Sequence, residues 1–355
     1  MEKLVDDSFW RGRRVFLTGH TGFKGGWLAL WLQERGARVT GFALPPSTKD
    51  NLFTVAGVAE QMTSQVGDVR DFKTVAAAVQ IADPEIVFHL AAQPLVAEGY
   101  RDPLTTFSTN ILGTANVLES LRLVSAVKAV VVITSDKCYE NKEWAWPYRE
   151  NEPLGGHDPY SASKACAELI SASYRSSYFG DLGVAIGTAR AGNVFGGGDW
   201  SENRLIPDLL AAFASGRSAE IRNPSAIRPW QHVLDPIAGY LKLAEHLVND
   251  KSLARAWNFG PDDTGCMTVG ELATHLALSW GGNAAWRTGE NCIPHEAHQL
   301  RLDASLARQR LGWKPRLSMD TAIEQTISWH KAWIAKDIDM RDYSLRQIAA
   351  YENHG

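Results

Sequence analysis

The chain has 355 residues, of which 45% are hydrophobic, and its formal net charge is −4 at pH 7. This length suffices for two domains that share an interface, and the apolar content supports a large core. Because lysine and arginine form no block and no apolar stretch reaches the length of a membrane helix, we expect neither nucleic acid nor a membrane as a partner.

The first motif in the chain is a glycine-rich turn between a predicted strand and a predicted helix. Arg14–Thr18 has the pattern of a short strand, and a helical pattern runs through Leu32. The first glycine of the turn permits a tight bend, the second lets the backbone approach a diphosphate, and the third lets helix and strand pack closely. Free N–H groups at the helix start favour an anionic ligand, so the motif predicts a dinucleotide-binding fold. The candidate cofactor-binding residues in the turn are Gly19, Gly22, Phe23 and Gly25.

The second predicted strand, Arg38–Ala43, lacks the acidic residue that usually ends this strand and binds the adenosine ribose. Its tip is Ala43-Leu44-Pro45-Pro46, and Asp50 lies too far beyond the prolines to substitute. The polar residues Ser47–Lys49 offer donors to a 2′-phosphate, so this loop leaves NADP open. We expect the dinucleotide to bind more weakly than is usual for this fold.

Strands and helices then alternate along the chain. This alternation predicts the α/β class with a doubly wound (Rossmann) parallel sheet. The predicted strands are Met62–Val66, Glu85–Leu90, Ala129–Ile133 and Val184–Ala189. The predicted helices are Phe72–Ile81, Pro103–Leu123 and the segment from Tyr160 to Phe179.

The buried strand Ala129–Ile133 is followed by a hydroxyl, a carboxylate and an amine. Ser135–Lys137 lies just beyond its carboxyl end, where open α/β sheets place their chemistry. Tyr160 and Lys164 are one helical turn apart and therefore point to one face of a helix. A solvated strand end and an amphipathic helix would explain each piece alone. Because Tyr160 and Lys164 follow Ser135–Lys137 by one crossover, we interpret these residues together as a catalytic site.

The composition changes after Arg190. Residues 191–200 have the glycine-rich composition of a loop. Arg222 and Arg228 fall in a proline-punctuated stretch and suit bidentate binding of a phosphate, although ordinary surface arginines would give the same pattern. The further elements that we expect are a helix at Leu205–Ala214, a last sheet strand at Trp257–Gly260 and a helical tail at Asp320–Tyr351.

The cysteines show neither a metal-binding nor a disulfide pattern. They lack CxxC spacing and indicate reduced thiols of a cytoplasmic protein. His295 and His298 are three residues apart, but the pattern supplies no further ligands, so we expect no metal site. The cysteines are Cys138, Cys166, Cys266 and Cys292.

Motifs along nearly the whole chain resemble the extended short-chain dehydrogenase/reductase superfamily. They read GHTGFKG, GDVRD, HLAAQP, TNILGT, YSASK, RAGNVFG and LGWKP. Within that superfamily, TSDK in front of CY is similar to the site of the nucleotide-sugar 4,6-dehydratases. Lys137 in the second place of the Asp136–Lys137 pair, together with KCYENKEW and HEAHQLRLD, is similar to the subgroup that acts on CDP-glucose.

The resemblance implies NAD as cofactor and CDP-glucose as substrate. Cofactor contacts carried over by the matching motifs are the turn glycines with Phe23, then Asp68, Val69, Ala91, Ala92, Gln93, Asn110, Tyr160 and Lys164. The same matching gives a sugar-nucleotide pocket lined by Asn193, Arg204 and Arg228, and Arg222 joins them on the phosphate argument.

The resemblance also implies a division of chemical roles. Tyr160, helped by Lys164 and hydrogen-bonded by Ser135, takes the proton of the sugar 4-hydroxyl as a hydride leaves C4. Asp136 and Lys137 then supply the acid and the base that eliminate water across C5 and C6. Which of the two is the acid stays open: one assignment uses a neutral carboxylic acid and an amine, the other an ammonium acid and a carboxylate base.

Domains, assembly and setting follow from the same resemblance. The Rossmann domain is expected at residues 1–191 and 233–262, and a smaller mixed α/β sugar-nucleotide domain at residues 192–232 and 263–355. The enzyme is expected to be a cytoplasmic homo-oligomer, a dimer or tetramer, that supplies deoxysugars for lipopolysaccharide O-antigen.

Three alternatives stay open. Another nucleotide-sugar 4,6-dehydratase would share the whole set. A nucleotide-sugar 4-epimerase would share Ser135, Tyr160 and Lys164 but has no need of the Asp136–Lys137 pair. A non-catalytic dinucleotide-binding regulator of the same fold would have no need to keep the hydroxyl, tyrosine and lysine together.

Overall fold

A seven-stranded parallel sheet is the centre of the computed structural model, which describes residues 5–262, 265–289 and 298–354. Two smaller sheets lie beside it. The strands, in chain order, are β1 (Arg14–Thr18), β2 (Arg38–Ala43), β3 (Thr63–Val66), β4 (Ile86–His89), β5 (Ala129–Ile133), β6 (Ala185–Ala191), β7 (Asn193–Phe195), β8 (Ala219–Ile221), β9 (Ile227–His232), β10 (Ala256–Phe259), β11 (Cys266–Thr268) and β12 (Trp286–Thr288).

The helices connect these strands and form the carboxyl-terminal region. Among the described helices, none is both long enough and apolar enough to cross a membrane. In chain order they are α1 (Asp7–Trp10), α2 (Phe23–Glu34), α3 (Leu52–Val55), α4 (Phe72–Ala82), α5 (Val96–Arg101), α6 (Pro103–Phe107), α7 (Gly113–Leu121), α8 (Pro159–Tyr174), α9 (Leu205–Ala214), α10 (Leu234–Asn249), α11 (Val269–Trp280), α12 (Ser305–Leu311), α13 (Met319–Ala335) and α14 (Met340–Asn353).

The main sheet is doubly wound, as the alternation of elements predicted. Its strand order is β3-β2-β1-β4-β5-β6-β10, and every pairing is parallel. Thr18 of β1 lies opposite Phe42 on one side and His89 on the other. The strand order therefore reverses between β1 and β4, and this switch point is where open α/β sheets bind their ligands.

Both faces of the sheet are covered by helices. Val15 and Leu17 of β1 belong to the core on one face, whereas Phe16 belongs to the core on the other. This alternation follows from the period of two in a strand, and it explains why all five residues of β5 are buried.

The helix α2 is buried on nearly every side, which fixes the position of its amino terminus. Trp27, Leu28, Leu30 and Trp31 have no exposed surface, because the helix lies between the sheet, α10 and α14. The indole of Trp31 packs edge-on against Tyr351 of α14, with ring centroids 5.6 Å apart. The glycine turn that precedes α2 is thus held at the carboxyl end of β1.

Three predicted helices differ from the structure. The predicted helix Pro103–Leu123 is interrupted by a π-helical turn at Ser108–Leu112, and α8 ends in a second such turn at Arg175–Phe179. The predicted helical tail consists of two helices, because Lys336 ends α13 in the left-handed region with φ of 57°. Asp339 then caps α14 by accepting a hydrogen bond from Asp342 N.

The expected loop at residues 191–200 contains a strand. Asn193 of β7 pairs with Trp230 of β9, and β9 pairs in turn with β11. Long-range pairing here overrides a glycine-rich composition that favours a loop. The second small sheet joins β8 and β12, and both sheets pack with α9, α11 and α13 around a separate core.

Candidate active site

A cavity of about 1970 Å³ opens at the carboxyl ends of β1, β2, β4, β5 and β6 and extends to the small sheets. Every site residue predicted from the sequence lines it except Asn110. Residues from both halves of the chain therefore meet in one space, at the switch point of the sheet.

The glycine turn forms a cradle at one end of this cavity. Gly19 has φ of +79°, and a Cβ there would lie 2.7 Å from Ala91 N. A Cβ on Gly25 would lie 2.0 Å from Gly19 O, so packing requires both glycines. Gly22 is different, because its Cβ would meet only Gly19 O at 3.4 Å and would otherwise point into open space. The free N–H groups at the start of α2 border that space and fit a diphosphate.

The tip of β2 borders the same end without contributing a carboxylate. Leu44 is 52% exposed, and its carbonyl accepts a hydrogen bond from Thr21 Oγ1 at 2.9 Å. Ser47 and Thr48 line the cavity, whereas Lys49 does not. The loop therefore offers hydroxyl groups to an adenosine ribose but no acidic group.

Asp68 and its neighbour Val69 line the cavity beyond β3. Arg70 donates to both carboxylate oxygens of Asp68, with its Nη2 2.6 Å from Oδ2. The hydrogen bond from Arg70 lowers the pKa of Asp68 below its usual range, so this acceptor stays anionic.

Asn110 does not line the cavity, and its expected role in the cofactor site stays a prediction. Its side chain donates to Gln93 O at 3.0 Å and to Ser163 Oγ at 2.8 Å, and it accepts from Gln93 N at 2.8 Å. Asn110 sits in the π-helical turn, which lies between the end of β4 and α8. It fixes the wall segment that contains Ala91, Ala92 and Gln93.

Ser135 begins the short helical turn Asp136–Cys138 at the end of β5. Its Oγ accepts from Lys137 N at 3.2 Å and donates to Asp136 Oδ1 at 3.0 Å. Asp136 is only 2% exposed, and its Oδ2 has no hydrogen-bond partner within the described residues. Lys137 is half-buried and lines the cavity beside it. The turn thus presents a carboxylate oxygen and an amine to the same space.

Tyr160 and Lys164 reach the cavity from α8, which Asp158 caps by accepting from Ser161 N at 3.0 Å. Burial raises the pKa of Tyr160 to about 12, and a hydrogen bond with Ser135 opposes that rise. Lys164 donates to Ile133 O at 3.3 Å. Burial lowers the pKa of Lys164 to about 8, against the charge of Glu168, which raises it.

Lys24 is a site residue that the sequence reasoning missed. It lies in the first turn of α2 and lines the cavity. Burial, together with the charges of Arg204 and Lys164, lowers its pKa to about 7, and the charge of Asp136 opposes the change. The amine therefore shares the centre of the site with these groups. A lysine among the small and apolar residues of GHTGFKG was the available signal.

Asn193 and three arginines also line the cavity. Arg228 is buried and donates to the carbonyls of Ile227 at 2.9 Å and His298 at 3.3 Å. Arg204 lies 3.8 Å from the carboxylate of Asp199. With Arg222, these cations give the cavity the positive charge that a sugar-nucleotide diphosphate requires.

Within the described ranges, no three histidine, cysteine or acidic side chains come together as metal ligands would. His298 donates its backbone N–H to Glu143 Oε1 at 2.6 Å. Cys138 and Cys166 are free thiols. Cys292 and His295 lie outside the described residues.

The chain matches the family model described as GDP-mannose 4,6 dehydratase over residues 16–326. It is 48% identical over 354 residues to a CDP-glucose 4,6-dehydratase of Salmonella typhimurium, with 98% of each chain covered. It is 28% identical to a dTDP-glucose 4,6-dehydratase of Streptomyces antibioticus, with 90% of this chain and 93% of that one covered.

Solved structures share the fold at lower identity. A UDP-glucose 4-epimerase of Thermotoga maritima superposes with a TM-score of 0.78 at 22% identity, covering 90% of this chain and 99% of the other. A dTDP-glucose 4,6-dehydratase of Streptomyces venezuelae, solved with NAD bound, gives a TM-score of 0.78 at 20% identity, covering 90% and 97%. At these identities the likeness establishes the architecture alone.

Proposed function

The chain belongs to the 4,6-dehydratase family that the GDP-mannose 4,6-dehydratase model describes, and on that premise we propose that it converts CDP-glucose to CDP-4-keto-6-deoxyglucose with NAD. The enzyme is therefore a hydro-lyase, because the reaction removes one water and causes no net oxidation. The observation that carries the proposal is that Ser135, Asp136, Lys137, Tyr160 and Lys164 line one cavity. The 48% identity to a curated CDP-glucose 4,6-dehydratase supports the nucleotide.

The turn that precedes α2 fits the cofactor's diphosphate, with Gly22 bordering open space and Gly19 and Gly25 holding the bend. Asp68 and the hydroxyls of Ser47 and Thr48 lie where adenosine would contact the protein. The chemistry that bound NAD supplies is reversible hydride acceptance, which allows C4 to be oxidised and C6 to be reduced in one catalytic cycle.

The base for the first step is Tyr160. A phenol with a pKa near 12 is a poor base at neutral pH, so ionisation requires nearby positive charge. Lys164 provides that charge when protonated, one helical turn away. Ser135 hydrogen-bonds the phenol. Removal of the hydroxyl proton accompanies loss of hydride from C4, and a ketone forms.

The ketone makes the C5 proton acidic, and the Asp136–Lys137 pair then completes the elimination. One group takes the C5 proton while the other protonates the departing 6-hydroxyl, so a water molecule leaves and a C5–C6 double bond forms. Hydride addition to C6 and proton return to C5 give the 6-methyl group. Asp136 Oδ2 has no hydrogen-bond partner among the described residues, so it is the oxygen available for this proton transfer.

We also propose the division into a Rossmann domain (residues 1–191 and 233–262) and a sugar-nucleotide domain (residues 192–232 and 263–355). A homo-oligomer is supported by exposed leucines on adjacent helices, Leu104, Leu112 and Leu169. The free thiols of Cys138 and Cys166 support a cytoplasmic location. Use of the product for lipopolysaccharide O-antigen rests on the resemblance in sequence.

The experiment supplies purified enzyme and NAD with CDP-, UDP-, dTDP- and GDP-glucose in parallel. We expect a 4-keto product, detected by its absorbance in alkali, with kcat/KM for CDP-glucose at least about 100-fold above the others. A comparable value for dTDP-glucose would contradict the nucleotide assignment and leave the dehydratase class. Formation of a 4-epimer would favour the epimerase, and binding of NAD without any turnover would favour the regulator.

A further inference from the structure

A buried ion pair lies behind the active site and is not used by the chemistry described above. Arg190, at the end of β6, donates to Glu168 of α8 at 2.8 Å, and both side chains are only 3% exposed. Replacing a buried ion pair by apolar residues is often neutral or stabilising, so stability alone is a weak reason to keep one. The contacts of each partner indicate another reason.

Glu168 binds the first residue of the segment that contains the catalytic groups. Its Oε1 accepts from Thr134 Oγ1 at 2.5 Å, and Thr134 directly precedes Ser135. Its Oε2 accepts from Thr188 Oγ1 at 2.7 Å in addition to Arg190. Both carboxylate oxygens are thus used, and the position of Thr134 is fixed.

Arg190 binds the last residue of the same segment. Its guanidinium donates to Tyr139 Oη at 2.8 Å and lies 4.8 Å from the centre of the Tyr139 ring. The same nitrogen donates to Glu150 O at 3.1 Å. Tyr139 in turn donates to Asn258 Oδ1 at 2.7 Å, which joins the segment to β10. The ion pair therefore touches both ends of Thr134–Tyr139.

We infer that the Glu168–Arg190 pair is a clamp that positions Ser135, Asp136 and Lys137 by holding Thr134 and Tyr139, and that Glu168 also maintains the charge of Lys164. The inference rests on the proposed function. Glu168 and Arg190 are positioning residues, because neither lines the cavity. Misplacement of a reacting group by about 1 Å can lower a rate about 100-fold, so holding both ends of a six-residue segment has catalytic value.

Glu168 lies one helical turn after Lys164 on the same face of α8, where its charge favours the ammonium form. Loss of that charge would lower the pKa of Lys164 and leave the phenolate of Tyr160 without its stabilising cation at lower pH. The titratable and charged groups around Lys164 are Tyr160 and Glu168 on its own helix, Cys138 and Asp136 in the short turn, Lys24 in the first turn of α2 and His89 of β4.

The test first breaks each end of the clamp without changing any charge. Thr134→Val and Tyr139→Phe are each expected to lower kcat about 10- to 100-fold while KM changes less than about threefold. The matched controls are Thr326→Val and Tyr351→Phe, which remove hydrogen bonds of buried hydroxyls that do not line the cavity. The controls are expected to lose similar thermal stability and to keep the wild-type kcat.

Glu168→Gln tests the second part of the inference. The alkaline limb of log kcat against pH is expected to move about one unit lower, Glu168→Asp should restore it, and Thr134→Val should not move it. If the unpaired Arg190 prevents folding, Glu168→Gln with Arg190→Met removes both charges, and the same displacement is expected. The lysine ¹³Cε resonances of labelled protein, assigned with Lys164→Arg, report the same change without turnover.

Distinct results overturn distinct claims. Wild-type kcat in both Thr134→Val and Tyr139→Phe, or an equal loss in the two controls, would contradict the clamp. If neither the alkaline limb nor the Lys164 resonance moves in Glu168→Gln, the claim that Glu168 maintains the charge of Lys164 is contradicted. A wild-type enzyme that dehydrates no sugar nucleotide would contradict the proposed function, and the resonance would still decide the effect of Glu168 on Lys164.

Discussion

The hydroxyl of Ser135 donates to Oδ1 of Asp136 at 3.0 Å. This bond joins a group expected to act in the oxidation at C4 to a group expected to act in the elimination at C5 and C6. It fixes one carboxylate oxygen and leaves the other, Oδ2, without a partner among the described residues. The two half-reactions therefore share one rigid turn, and small changes at that turn should affect both.

Gly22 and Gly25 of the cofactor turn should respond differently to alanine. Gly25→Ala places a methyl group against Gly19 O and should lower the melting temperature by about 5 °C or more. Gly22→Ala should leave that temperature within about 2 °C but weaken NAD binding at least about tenfold, because its methyl group would occupy the space open to the diphosphate. Calorimetric unfolding and NAD titration measure the two effects. Equal behaviour of both variants would contradict the assigned roles.

The tip of β2 should limit the affinity for NAD. Leu44→Asp supplies the missing carboxylate at an exposed position, and a charged hydrogen bond to a ribose hydroxyl should raise NAD affinity about tenfold. Leu44→Asn has the same shape without the charge and is the control. Affinities come from titration of the purified apoprotein. If the wild-type enzyme retains one NAD per chain through dilution and gel filtration, weak binding at this tip is excluded.

Asp235 should make the fold less stable as the pH rises. Burial raises its pKa to about 6, above the 3.8 of an exposed aspartate. The folded state therefore keeps a proton that the unfolded chain loses, so the free energy of unfolding falls between about pH 4 and pH 6 and stays low above that. Asp235→Asn retains an oxygen that can accept from Arg316 N and Tyr351 Oη. It should raise the free energy of unfolding by about 1–3 kcal/mol at pH 8 and by almost nothing at pH 4. A constant difference across this range in urea titrations would contradict the assignment.

Much of the main sheet followed from the sequence. The predicted bounds of β1, β2 and β5 agree with the structure, because short apolar runs bounded by polar residues determine strands buried on both faces. Where the sequence prediction differed, distant contacts decided the outcome. Asn193–Phe195 forms a strand only because β9 lies beside it, and nothing local signals that partner.

The sequence indicated the residues that line the cavity better than the residues that support them from outside it. Residues at strand ends and in motifs, such as Ser135 and Gly22, lie in the cavity because topology brings those positions together. Asn110 lies behind the wall, since a π-helical turn directs it toward Gln93 and Ser163. Contacts between elements far apart in sequence, such as Glu168 with Arg190, cannot be read from spacing, although a glutamate four residues after Lys164 was a usable signal.

The roles of Asp136 and Lys137 can be separated by following the C5 proton. The carboxyl group is 2% exposed and the amine is half-buried, so both act in a site largely removed from water. The pair can supply an acid and a base in either of two ways. In one, the amine of Lys137 takes the C5 proton and a neutral Asp136 protonates the 6-oxygen. In the other, the carboxylate takes the proton and the ammonium donates.

We expect the first assignment. In that case Lys137→Ala still transfers hydride from C4 but no longer exchanges deuterium at C5 with water, and kcat falls at least about 100-fold. Asp136→Asn retains the exchange at C5 and loses elimination, because the amide cannot donate a proton to the leaving oxygen. Single-turnover absorbance at the reduced nicotinamide band reports hydride transfer, and NMR of C5-deuterated substrate reports exchange.

Lys137→Arg keeps a positive charge without a usable base and should resemble Lys137→Ala. If Asp136→Asn loses the exchange and Lys137→Ala keeps it, the carboxylate is the base. Normal exchange and elimination in both variants would exclude the pair from the chemistry.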